Sequence, residues 1–125
     1  MKSNPIVHIE FSAKDPLTAG KFYSDLFGWK LKTWPEYNFA TFETEGGPTG
    51  GFPKIDDKQF KPGDVIVYIE TDDIDATLRQ IEAAGGKTLV PRSPIDDHSW
   101  YAYFQDPSGN RVGLFNGKNP ASSGD

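Results

Sequence analysis

The chain has 125 residues, 36% of them apolar and 25% charged, and a formal net charge of −5, a balance typical of one soluble globular domain with a genuine core. The acidic balance and the lack of a dense Lys/Arg block exclude a phosphate-tracking nucleic-acid surface, and no apolar run approaches the roughly 20 residues of a membrane span. Without cysteine there are neither disulfides nor thiolate ligands, which suits a cytoplasmic protein, and the apolar run in MKSNPIVHIEF is too short for a signal peptide.

The first predicted element is a strand at PIVHIEF, residues 5–11, where Val7, Ile9 and Phe11 alternate with His8 and Glu10. Alternation sends the imidazole and the carboxylate to one face, about 6.6–7 Å apart along the strand. A helix follows, capped by Asp15 with Pro16 at its first position and stopped by Gly28. Its apolar residues Phe22 and Leu26 are expected in the core. Strands are expected near 29–34, 37–44 and 49–53. KIDDKQFKPGD then carries the charge and Pro/Gly content of a linker, about 54–63.

The second half repeats this order. DVIVYIE is a strand, Asp72 or Asp73 caps a helix with the apolar stripe Ile74, Leu78 and Ile81, and Gly85–Gly86 ends it. Strands near 87–92, 99–105 and 110–116 complete the unit, with DPSGNR as the last turn. The tail GKNPASSGD, 117–125, is expected to fray. Asp15 matches Asp73 and Gly28 matches Gly86 at an offset of 58. FATF matches YAYF, and Gly51 matches Gly113, at 62. The chain therefore reads as a duplication, with modules at about 5–53 and 64–116 of a single 1–125 domain.

Three segments in this order, HIEFSAKDPLTAGKFYSDLFGW, TDDIDATLRQIEAAGGK and FQDPSGNRVGLF, resemble the vicinal oxygen chelate superfamily, which includes glyoxalase I (lactoylglutathione lyase), bleomycin resistance proteins and extradiol dioxygenases. The resemblance covers about residues 5–116. It implies an α+β, glyoxalase-like fold: paired βαβββ modules whose sheets curl around a shared cavity, and a homodimer. It also implies four metal-ligand positions, one on the first and one on the last strand of each module. His8 matches the first. Ile66, Gly51 and Gly113 occupy the other three, and none of these can coordinate a metal.

The candidate site residues follow from that placement. His8 is either a cavity histidine hydrogen-bonded within the protein or a ligand contact, since imidazole can accept or donate a proton near neutral pH. Glu10 and Glu70 are possible bases or partners in internal ion pairs, and Tyr68 shares the face of Glu70. Arg92 could clamp a carboxylate or phosphate or be a solvated surface residue. Trp34 and Tyr37 flank a turn where aromatic rings could stack on a planar ligand. In SWYAYF, Trp100, Ala102 and Phe104 oppose Tyr101 and Tyr103, and the sequence does not phase them. His98, beside two acids, reads as a surface residue. The glycines at 51 and 113 leave a floor without side-chain bulk, which suits a roomy pocket.

The expected function is binding of a small organic ligand, with His8, Glu10, Tyr68, Glu70, Trp34, Arg92 and Trp100 as contacts and no metal or other cofactor. An alternative is a lyase or isomerase of the lactoylglutathione lyase type, holding a divalent metal through a rearranged set of His8, Glu10 and Glu70. A third is a metal-free enzyme using His8 or a glutamate, Glu10 or Glu70, as base.

Overall fold

The computed structural model describes residues 3–56 and 58–117. Eleven elements follow each other among the described residues. β1 (Ile6–Phe11), α1 (Pro16–Phe27), β2 (Lys30–Trp34), β3 (Phe39–Glu43) and β4 (Thr49–Gly51) form the first module, with a 3-10 turn at Pro35–Tyr37. β5 (Val65–Glu70), α2 (Ile74–Ala83), β6 (Lys87–Asp96), β7 (Ser99–Gln105) and β8 (Arg111–Gly117) form the second. Each module is thus βαβββ, and the protein is α+β with a glyoxalase-like arrangement. By internal contacts one unit is Val7–Val67 and the other joins Met1–Ile6 to Tyr68–Asp125. No helix among the described residues is long and apolar enough to cross a membrane. The predicted tail falls almost wholly outside the described residues.

In the first module the strands lie in the order β2-β3-β4-β1. β2 and β4 run antiparallel to β3, and β4 pairs parallel with β1, placing His8 opposite Thr49 and Glu10 opposite Gly51. Asp15 caps α1 through Thr18, and Gly28 takes the left-handed conformation (φ 72°) that ends it. The core beneath α1 is Ala13, Ala40, Phe42 and Phe52. Aromatic stacking extends it: Tyr23 lies 5.0 Å from Trp29, and Trp29 lies 4.4 Å from Phe42. Gly50 is required there, because a Cβ would fall 2.0 Å from Phe42 Cζ.

The expectation that Phe22 and Leu26 are core does not hold, since both are more than half exposed. The helix turns Pro16 and Gly20 inward instead. Gly20 comes so close to Leu31 and Ala40 that a Cβ would meet them at 3.3–3.4 Å. That approach rotates the outer stripe away from the sheet.

The second module has the order β5-β8-β7-β6, with β8 parallel to β5 and antiparallel to β7. Asp73, not Asp72, caps α2 by accepting from Ala76 N. Here the predicted stripe is correct: Ile74 and Leu78 are buried with Ala102, Phe104 and Leu114, and Ile81 packs against them. β6 runs on to Asp96, past the expected end at 92, with register shifts against β7 before Val90, across Pro91 and after Pro94. β2 and β6 stand at the two ends of the strand order.

Candidate functional site

In the first module Phe11 packs toward α1, so the alternation of β1 turns His8 and Glu10 to the opposite face. His8 Nδ1 lies 2.9 Å from Thr49 Oγ1, which fixes the ring, and His8 Nε2 faces Glu10 Oε2 at 3.6 Å. The latter distance suits an ion pair when the imidazole is protonated but is long for a hydrogen bond. About a quarter of each side chain reaches solvent, 28% for His8 and 22% for Glu10. Across the sheet the same face carries Gly51 and Thr41 beside Glu10, and Glu43 beside Thr49. A Cβ at Gly51 would meet nothing nearer than 3.7 Å. Gly51 itself is buried, and a Cβ there would sit in ordinary van der Waals contact, so the glycine leaves room for a methyl group next to the imidazole and the carboxylate. At one end of this face Trp34 and Phe39 lie 5.2 Å apart, with Lys32 Nζ over the Trp34 ring.

The second module resolves the phase of β7. Ala102, Phe104 and Trp100 pack toward α2, which puts Tyr101 and Tyr103 on the other face with Tyr68 and Gly113. Tyr68 and Tyr103 are both buried and share a 2.6 Å hydrogen bond between their hydroxyls. Arg111 stands over the Tyr103 ring at 5.3 Å. The space expected above Gly113 is filled: the Tyr68 ring lies over it, where a Cβ would be 2.3 Å from Tyr68 Cδ2. Glu70 follows Tyr68 on the same face by alternation, opposite Phe115.

The remaining predicted residues lie elsewhere. Trp100 sits on the α2 side against the core. Arg92 lies over the Trp100 ring at 5.8 Å and pairs with Asp75 at 3.5 Å, so it is directed toward the helix side. His98 is exposed in the β6–β7 turn, where its backbone N–H donates to Asp96 Oδ1. That bond, and one from the Ser99 hydroxyl, hold the Asp96 carboxyl below its ordinary range. Sequence reasoning did not single out Thr49, Tyr103 or Arg111. A signal for two of them was present: Thr49 and Arg111 are repeat partners at the offset of 62 that relates Gly51 to Gly113.

The residues at the four family ligand positions do not fit a complete divalent metal site. Ile66, Gly51 and Gly113 carry no side-chain donor atom, and the space at Gly113 is taken by an aromatic ring. Among the described residues, no group of three or more His, Asp or Glu gathers closely enough to hold an ion.

The comparisons with known proteins agree with this fold. The chain is 34% identical over 110 residues to a glyoxylase-like domain-containing protein of Didymella fabae, covering 82% of this chain and 85% of that one. It is 29% identical over 122 residues to CFP32 of Mycobacterium tuberculosis, covering 86% of this chain and 43% of that protein; it thus spans less than half the length of this curated relative. A solved structure of a glyoxalase/bleomycin resistance protein/dioxygenase superfamily member from Vibrio splendidus 12B01 superposes with a TM-score of 0.65 at 17% identity, over 91% of this chain and 99% of that one. The family model of the same description matches residues 5–114, and the chain belongs to the Glyoxalase/Bleomycin resistance protein/Dioxygenase superfamily.

Proposed function

We propose that the protein binds a small organic molecule on the face of its first module that carries His8 and Glu10, without a resident divalent metal. The observation that carries this reading is the pair of partly exposed polar side chains, an imidazole oriented by Thr49 and a carboxylate, beside a glycine that adds no side-chain bulk. Such a face offers one donor–acceptor, one acceptor and room for a ligand group, with the Trp34–Phe39 pair as an aromatic wall.

The test is metal analysis of untagged protein, followed by titration with Zn, Ni or Mn while the melting temperature is read. The expected result is no stoichiometric metal and no mass-action shift; either one overturns the reading. For any small organic ligand found by thermal-shift screening, His8→Ala should weaken binding at least tenfold, and Gly51→Val should block it while the protein stays folded. If a turnover is detected and His8→Ala abolishes it with unchanged affinity, His8 is a catalytic base.

A further inference from the structure

We propose that a groove on the α1 side of the first module is a second ligand site, built for a hydroxylated aromatic carboxylate and independent of the face carrying His8. The groove holds about 720 Å³ between the start of α1, the end of β1 and Phe52. Its walls are aromatic: Phe11 lies 5.1 Å from Tyr23, and Tyr23 lies 5.7 Å from Phe52. Phe22 stands edge-on to Tyr23 and is 55% exposed at the rim.

Two polar atoms give the groove its chemistry. Ser12 Oγ and Asn38 Oδ1 both belong to residues that line it. Both atoms are buried and have no hydrogen-bond partner among the described residues. A buried polar group left unsatisfied destabilises the fold, so a fold that keeps two of them beside one cavity marks where a ligand would satisfy them. The serine hydroxyl can donate to a carboxylate, and the amide oxygen can accept from a phenolic hydroxyl. Lys14 and Lys54 line the same groove and supply positive charge. The one acid in the lining, Asp15, is engaged in capping α1 through the Thr18 N–H and hydroxyl.

The repeat supplies an internal control. The equivalent groove of the second module, about 460 Å³, is lined by Ile69, Thr71, Asp72, Asp73, Thr77 and Ile81 among others. At the offset of 58, Asp72 stands where Lys14 stands in the first module. Its polar atoms are closed onto one another: Thr71 and Thr77 share a 2.7 Å hydroxyl pair, and Asn116 donates to Thr71 O. That groove is finished structure with the wrong charge for an anion, whereas the first is aromatic, cationic and unsatisfied.

The probe is 4-hydroxybenzoate, titrated calorimetrically into the full chain, with benzoate and 4-hydroxybenzyl alcohol as partial probes. The expected result is one site, with each partial probe weaker by about threefold to tenfold, the value of one hydrogen bond or one charge contact. Ser12→Ala, Asn38→Gly (which keeps the left-handed backbone at φ 48°) and the Lys14→Ala/Lys54→Ala pair should each weaken the probe by at least threefold. Ser12→Ala should leave the melting temperature unchanged or raise it, because the orphaned hydroxyl stabilises nothing. His8→Ala should leave the probe's affinity unchanged, which separates failure of this site from failure of the His8 face. No binding at millimolar probe, affinity indifferent to all three groove variants, loss in His8→Ala instead, or self-association that buries the groove would each overturn the proposal.

Discussion

The two modules share a backbone plan and differ in how each treats its repeat-equivalent glycine. Gly51 is buried without crowding, a Cβ there meeting nothing nearer than 3.7 Å, and the side chains beside it are an imidazole and a carboxylate. Gly113 lies beneath the Tyr68 ring, which is locked to Tyr103 by a 2.6 Å hydrogen bond. The cores diverge in the same way. Stacked aromatic rings fill the first, and Ile74, Leu78 and Leu114 fill the second. Duplication has therefore preserved the strand order while one copy keeps polar, unfilled surfaces and the other closes them. A missing side chain is by this comparison not a vacancy until its neighbours are known.

Three substitutions press on this difference. Gly113→Val should be the most damaging, because its Cβ would overlap the Tyr68 ring. Overpacking of this kind costs about 1–3 kcal/mol, read as a lower denaturant midpoint with an unchanged slope. Tyr68→Phe removes the paired hydroxyl and should cost about 1 kcal/mol, or about 3–5 °C of melting temperature in a domain of this size. Gly51→Ala should move the other way, raising stability by about 0.5–1 kcal/mol, since the methyl meets no close neighbour and a strand glycine is lost. Equal effects at the two glycines would erase the comparison.

The smallest effect concerns the β7–β8 turn. Asp106 Oδ atoms accept from the side chain and backbone N–H of Asn110 and from the backbone N–H of Ser108. These bonds hold its carboxyl below the ordinary value of 3.8. A lowered folded value means the stabilisation is complete above the unfolded pKa and disappears as pH falls through the folded one. Asp106→Asn should therefore be less stable than the parent at pH 7, and the gap should narrow by pH 3. A gap that is constant with pH would remove the charge from the account.

Much of the fold was legible because its signals are local. Asp15–Pro16, Gly28, Asp73 and the Asp106–Asn110 turn specify their own backbone through hydrogen bonds that span only a few residues. The placement of His8 and Glu10 on one face followed from alternation alone. What was not legible depends on packing. SWYAYF is apolar or aromatic on both faces, so only contact with α2 separates Trp100 from Tyr101 and Tyr103. Phe22 and Leu26 satisfy helical spacing, yet Gly20 decides which stripe meets the sheet. The ring over Gly113 belongs to Tyr68, a residue 45 positions earlier, and no local pattern announces it.

The end strands limit how copies of this chain can meet. A row of unpaired backbone groups invites another strand to add on. β6 interrupts that row with Pro91 and Pro94, neither of which has an N–H to offer, and with shifts in register around both. β2 exposes Lys30 and Lys32, and a second copy brought alongside would oppose like charges. Sheet extension through either strand is thus disfavoured from the outset, which guards the folded chain against edge-to-edge growth and leaves helices and sheet faces as the surfaces open to self-association.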